Sequence, residues 1–211
     1  MEKKFNWNKI LKEALRMRKS DFMKEMLQRR EDQGSKSPMG SMDCAILYAI
    51  TRWQCPKVIV ETGGFLGMSS AFILKALQDA EVTDVKLYSM EKMKDCPHGI
   101  LIPDYLKAPF IPLTGRVEEF MKKGQLPAKI DMFLHDSSHR LKHMLMEFEH
   151  FWKCLGDGGL LMSHDVDMTA AFTEFVTKTY QHDAIGQSDP KKTEHHVWGR
   201  VGKLGFMIKK A

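Results

Sequence analysis

Hydrophobic positions fall at two different periods along this chain. From Phe5 to Arg30 they keep helical spacing, at Trp7, Ile10, Leu11, Ala14 and Leu15 and again at Phe22, Met23, Met26 and Leu27. Ser20 and Asp21 stand where the second of two short helices needs an N-cap. Residues 31–41 form a polar Gly/Ser/Pro loop, and Ser41 is placed to cap a helix from Met42 to Trp53. Short apolar runs then alternate with helical patterns. Strands are predicted at Lys57–Val60, Val85–Met90, Phe110–Thr114, Lys129–His135 and Leu160–Ser163. Helices are predicted at Ala71–Leu77, Val117–Lys123, Leu141–Leu155 and Asp165–Tyr180. Residues 96–110 carry Pro97, Gly99, Pro103 and Pro109 and read as broken structure with one helical turn near Tyr105, and Pro112 gives the third strand an irregular or exposed place. Residues 181–194 read as a polar loop, and His195–Val201 with Leu204–Lys209, joined at Gly202-Lys203, read as a terminal hairpin. Trp198 on that hairpin suits a pocket wall or, more commonly for a strand aromatic, the core. Alternating strands and helices predict an α/β fold with a parallel sheet covered on both faces. The unit 1–41 precedes it as a helical lid or subunit contact, leaving 42–211 as one domain.

Composition narrows the class. The 211 residues suffice for a sizeable core, and 43% hydrophobic with 28% charged residues is ordinary for a globular domain. No apolar run reaches the ~20 residues of a membrane span, and the first residues lack a signal-peptide core, so a cytoplasmic protein is expected. Cys44, Cys55, Cys96 and Cys154 form no C-x-x-C pair, which predicts reduced, mostly buried thiols without a zinc site. The net charge of +5 is concentrated in residues 1–30, where ten Lys or Arg face four Asp or Glu, leaving the rest at −1. A solvated helix face is the commoner meaning of such a run, and no aromatic-interleaved basic stripe supports nucleic-acid binding.

Two stretches carry chemistry. The first is Glu61-Thr-Gly63-Gly64-Phe-Leu-Gly67-Met-Ser69, a strand end running through glycines into a helix. Gly63, Gly64 and Gly67 permit tight turns and close approach to a ligand, and in open α/β sheets ligands bind outside such strand ends. Phe65 stands where a dinucleotide fingerprint would have its middle glycine, which weakens an NAD reading. Glu91 closes the second strand, where a carboxylate can accept both hydroxyl hydrogens of a ribose.

The second stretch closes the fourth and fifth strands with Asp and His together, as His135-Asp136-Ser-Ser-His139 and His164-Asp165-Val-Asp167. Asp136 and Asp165, with His164 or Asp167, suit a divalent cation, either Mg2+ or a transition metal that tolerates imidazole. His139 is the first candidate for general base, because an imidazole of pKa about 6.5 accepts a proton at neutral pH. His139, His143 and Glu147 are spaced by four like a helical metal pair, but helix-surface positions are the commoner meaning. Met144, Phe148 and Phe151 read as core.

These motifs together, Val58-Ile-Val-Glu-Thr-Gly with Gly67-Met-Ser69, then Ile130 to His139, then Phe151 to Val166, resemble the class I S-adenosylmethionine (SAM) dependent methyltransferases. More narrowly, the chain is similar to the branch of small-molecule O-methyltransferases and cephalosporin-hydroxylase-like proteins, over about Met39 to Lys209. The resemblance implies a Rossmann-like seven-stranded sheet whose seventh strand lies antiparallel beside the fifth. It implies SAM held by Glu61, Gly63, Gly64, Gly67, Ser69, Glu91, Gly115 and Asp136, and chemistry at Asp136 and His139. Metal-dependent members, such as catechol O-methyltransferase, place acidic or amide ligands at the positions of Asp136, His164 and Asp165. His164 departs from that pattern, as does Arg116, where many members place an acid near adenine. The expected activity is methyl transfer from SAM to a small-molecule acceptor, most readily at oxygen. The competing expectations are a metal-dependent hydrolase or oxygenase built on the Asp/His cluster, and a non-catalytic SAM-binding module. The apolar N-terminal helices would suit a homodimer contact.

Overall fold

The computed structural model describes residues 5–34, 39–185 and 197–210. Seven strands form one sheet: β1 (Val58–Thr62), β2 (Lys86–Glu91), β3 (Phe110–Thr114), β4 (Ile130–His135), β5 (Leu155–Ser163), β6 (Val197–Val201) and β7 (Leu204–Ile208). Their spatial order is β3-β2-β1-β4-β5-β7-β6. The first five are parallel, and β7 runs antiparallel to both β5 and β6. The chain order reverses between β1 and β4, so the crevice for a ligand opens at their carboxyl ends.

Strand periodicity divides the core into two layers. Ile59, Met132, Leu134, Leu160, Met162, Phe206 and Ile208 face a layer made by α3 (Ser41–Gln54) and α4 (Met68–Asp79). Their neighbours Val60, Phe133, Leu161 and Met207 face α5 (Val117–Lys123), α6 (Leu141–Cys154) and α7 (Ala171–Ile185). Continuous apolar runs in β1, β4 and β5 reflect burial on both faces.

The N-terminal helices α1 (Trp7–Arg18) and α2 (Asp21–Asp32) add an outer layer to the first of these faces. Ile10, Ala14 and Met17 of α1 are buried, and Phe22 of α2 packs edge-on against Phe72 of α4 at 5.1 Å. An ion pair from Glu13 to Arg52 joins α1 to α3. Ser20 caps α2, its hydroxyl accepting from the Met23 amide at 3.1 Å. Of the leading segment, Met39 and Gly40 border the carboxyl-end crevice.

Several boundaries differ from the sequence-based expectation. The N-cap of α3 is Gly40, and Ser41 is the first helical residue. Pairing of β5 begins at Leu155, opposite Ile130, with a register shift before Leu160, so Gly156–Gly159 interrupt the ladder without ending the strand. α7 starts at Ala171, not Asp165, because Asp165 adopts a left-handed φ of 51° that no helix accommodates. It continues to Ile185, into the expected loop, and the remainder of that loop lies outside the described residues. Pro112 sits in β3 at a sheet edge. Trp198 is 53% exposed on edge strand β6 and belongs neither to the core nor to the crevice lining. Cys44 is buried and the other three cysteines are half-buried, all as reduced thiols. Among the described residues no helix is long and apolar enough to cross a membrane.

Candidate active site

A cleft of about 1250 Å³ opens at the carboxyl ends of β1, β2, β3, β4 and β5. Gly63, Glu91 and Gly115 line one part of it and Asp136, His139, His164 and Asp165 another. The glycine turn is shaped by contact with the neighbouring strand ends. Gly63 has φ of +80°, and a Cβ there would stand 2.0 Å from the Asp136 carbonyl oxygen. Its amide, like that of Gly64, donates to the Met90 carbonyl at the end of β2. The turn therefore lies flat on the ends of β2 and β4, with only Gly to allow it.

Glu61, Gly64, Gly67 and Ser69, grouped with the cofactor residues in the sequence, do not line the cleft. The Glu61 side chain is fully buried and accepts hydrogen bonds from Ser69, Ser70 and Ser89. Burial raises its carboxyl pKa, opposed by the three hydroxyl donors. These residues brace the turn from behind. Glu91 does reach the cleft, and the amides of Phe65 and Met93 donate to its two oxygens at 3.1 and 2.9 Å.

At the other end, Asp136 follows β4, its amide donating to the Thr62 carbonyl. One nitrogen or oxygen from each of Asp136, His139 and Asp165 can be drawn within 4.8 Å of the others. His139 Nε2 lies 3.6 Å from Asp136 Oδ1 and 3.7 Å from Asp165 Oδ2, and has no hydrogen-bond partner. The structure thus brings both His139 and His164 against the two aspartates, and the three side chains whose ligand atoms fall within one radius are Asp136, His139 and Asp165. His164 Nδ1 lies 3.2 Å from Asp136 Oδ1 and 3.5 Å from Asp165 Oδ2, while Nε2 is 3.5 Å from Asp43 Oδ2 of α3. Burial alone would lower the His164 pKa, but Asp136 and Asp43 outweigh it and raise the value to about 10. Burial would likewise raise the Asp136 pKa, yet the adjacent imidazoles of His139 and His164 hold it below the usual carboxylate range. Lys203, in the β6–β7 turn, donates to Asp165 at 3.1 Å.

The sequence reading missed a buried group beside this cluster. Glu147 of α6, expected on the helix surface, is fully buried. It accepts from Thr62 Oγ1 and His135 Nδ1 at 2.7 Å on one oxygen, and from Ser137 Oγ at 2.9 Å and His143 Nε2 at 2.7 Å on the other. Burial works against its charge, but the His135 and His143 donors bring its pKa down to about 2. The signal was present: Glu147 falls on the same helical face as Met144, Phe148 and Phe151, and a charge inside an apolar stripe needs partners. Asp43, Ser137 and Lys203 carried no such signal, since the fold alone brings them to the cleft.

Comparison with known proteins adds to this geometry. No curated protein matches the chain. Among solved structures, it is similar to the O-methyltransferase TomG from Streptomyces achromogenes in complex with SAM, at 18% identity and a TM-score of 0.67, over 100% of both chains. It is similar to the S-adenosylhomocysteine (SAH) bound methyltransferase PaMTH1 from Podospora anserina, at 13% identity and a TM-score of 0.68, over 98% of this chain and 97% of that one. The methyltransferase MycE of the mycinamycin biosynthetic pathway, in complex with Mg and SAH, is similar at 13% identity and a TM-score of 0.57, over 88% of this chain and 54% of that one. At these identities the likeness establishes the fold. The family model described as a methyltransferase domain matches residues 60–166, the segment that runs from the end of β1 through the glycine turn and the Asp136 loop to the end of β5. Since that match spans just over half of the chain and contains both parts of the cleft, the protein belongs to the methyltransferase domain family.

Proposed function

We propose that this methyltransferase moves a methyl group from SAM to an oxygen of a small-molecule acceptor. The observation that carries the reading is one cleft in which the Gly63 turn and the Glu91 carboxylate meet the Asp136, His139 and Asp165 cluster. Its volume accommodates a nucleoside cofactor together with a small acceptor. The SAM and SAH complexes of TomG, PaMTH1 and MycE support the choice of cofactor. Neither a hydrolase or oxygenase reading nor a non-catalytic one receives support from the family match.

Glu91 keeps lone pairs free, beyond the two amides it accepts from, for the vicinal hydroxyls of a ribose. When bound, SAM supplies a methyl group on a sulfonium leaving group. The protein then has to align the acceptor, take its proton and keep water out. His139, with Nε2 unpartnered beside two carboxylates, takes the proton, and Asp136 and Asp165 stabilise the imidazolium that results. The same three side chains fit a divalent cation, which would lower the acceptor hydroxyl's pKa. An imidazole with two carboxylates suits Mn2+ better than Mg2+. A ligating His139 has no lone pair for a proton, so loading with a cation and base catalysis by His139 are separable.

Calorimetry with SAM and SAH, with and without Mg2+ or Mn2+, tests the proposal. Micromolar binding by the wild type and its loss in Gly63→Arg are expected, and absence of binding under every condition would sink the reading. A cation that binds wild type but not His139→Asn would assign His139 as a ligand. Binding unchanged by that substitution leaves it as the base.

A further inference from the structure

We propose that Glu147 is a positioning residue that sets the reactive loop from the buried floor of the cleft, an inference that rests on the methyl-transfer reading of the cleft. Its carboxylate meets four donors, two on each oxygen, which is the full acceptor capacity of the group. Thr62 and His135 are the last residues of β1 and β4. Ser137 and His143 lie on the other side of Asp136, in the loop and in the first turn of α6. Residues 135 and 137 are therefore both tied to one fixed point, and Asp136 between them has its backbone direction determined.

The tie extends to both functional parts of the cleft. Asp136 contributes its carbonyl to the surface against which Gly63 packs, and its carboxylate to the cluster with His139. The His135 ring, held by Glu147 through Nδ1, stands edge-on to the His139 ring at 5.7 Å between centroids. Glu147 itself does not touch the acidic cluster, and among the described residues it is the one carboxylate that contacts β1, β4, the 136–140 loop and α6 together. A buried carboxylate with this set of partners holds a loop more rigidly than apolar packing does, because each donor left unpaired would be costly.

The test uses the full chain without any cofactor. In Glu147→Gln an amide nitrogen replaces one of the two oxygens, so one imidazole and one hydroxyl lose their acceptor, and in Ser137→Ala one donor is removed from the loop. Amide exchange at Asp136 should rise by about tenfold or more in both variants, while core amides of β1 and β5 stay within about twofold. The imidazole resonances of His139, identified by their loss in His139→Asn, should move in both. Unchanged Asp136 exchange and unchanged His139 resonances would overturn the proposal, as would a uniform rise across β1, β5 and α6, the mark of general destabilisation. If Glu147→Gln fails to fold, Ser137→Ala decides alone. Failure of wild type to bind SAH would strike the methyl-transfer reading and leave these readouts standing.

Discussion

At Gly63 the chain has φ of +80° and a carbonyl oxygen 2.0 Å from where a Cβ would be. Gly63→Ala should therefore cost about 2–4 kcal/mol in thermal unfolding and weaken SAH binding, since both the backbone strain and the contact oppose it. Two buried groups contribute to the pH dependence of stability at opposite ends of the scale. Glu147 has its pKa lowered from 4.5 to about 2, so its contribution is full above 4.5 and disappears as pH falls toward 2. Glu147→Gln should flatten that acid limb, by ~2–3 kcal/mol, in urea unfolding followed against pH. His164 has its pKa raised from 6.5 to about 10, so its contribution is full below 6.5 and is lost as pH rises through about 10. His164→Asn should remove the alkaline decline over that window. At this scale position in the cleft was legible where a residue type and a strand end coincide, as at Glu91, Asp136 and Asp165. It was not legible where direction decides: Glu61 and Ser69 have the right types at the right spacing but point behind the turn into a buried hydroxyl cluster. His164 lies against three carboxylates and His139 against two, which no spacing reveals.

Secondary-structure elements were read more easily than their ends. Ser20 was identifiable as a cap because Ser-Asp precedes a new apolar stripe, and Ser20→Ala should lower stability by ~1 kcal/mol, measured by thermal unfolding. The strands β1, β2, β4 and the helix α5 follow directly from apolar runs bounded by Pro, Gly and charge. The expected β5 is too short because Gly156–Gly159 have the composition of a loop, while in the structure they belong to the strand across a break in its pairing with β4. The expected start of α7 is too early because the apolar pattern does not register a single left-handed residue such as Asp165. α6 was found with nearly correct ends, yet the burial of Glu147 was not foreseen, since Glu is a surface residue by default.

The whole molecule is a sheet with helices on both faces and an extra helical layer contributed by α1 and α2. That layer buries Ile10, Met17, Phe22, Met23 and Met26, at ~2 kcal/mol each, which approaches the ~5–15 kcal/mol net stability of a domain. A chain lacking residues 1–34 should accordingly fail to fold or melt far below the full chain. An unchanged melting temperature would show that these helices serve as a cover alone. The two parts of the cleft are not independent pieces either. Gly63 rests on Asp136, and Asp136 is fixed through its neighbours to α6, so the floor of the cleft behaves as one casting. Such a floor leaves evolution little freedom to retune the acceptor from below. Divergence in acceptor preference among close relatives of this chain should accumulate at Met39, Asp43 and Lys203, whose side chains border the same space without being tied to the floor's central carboxylate.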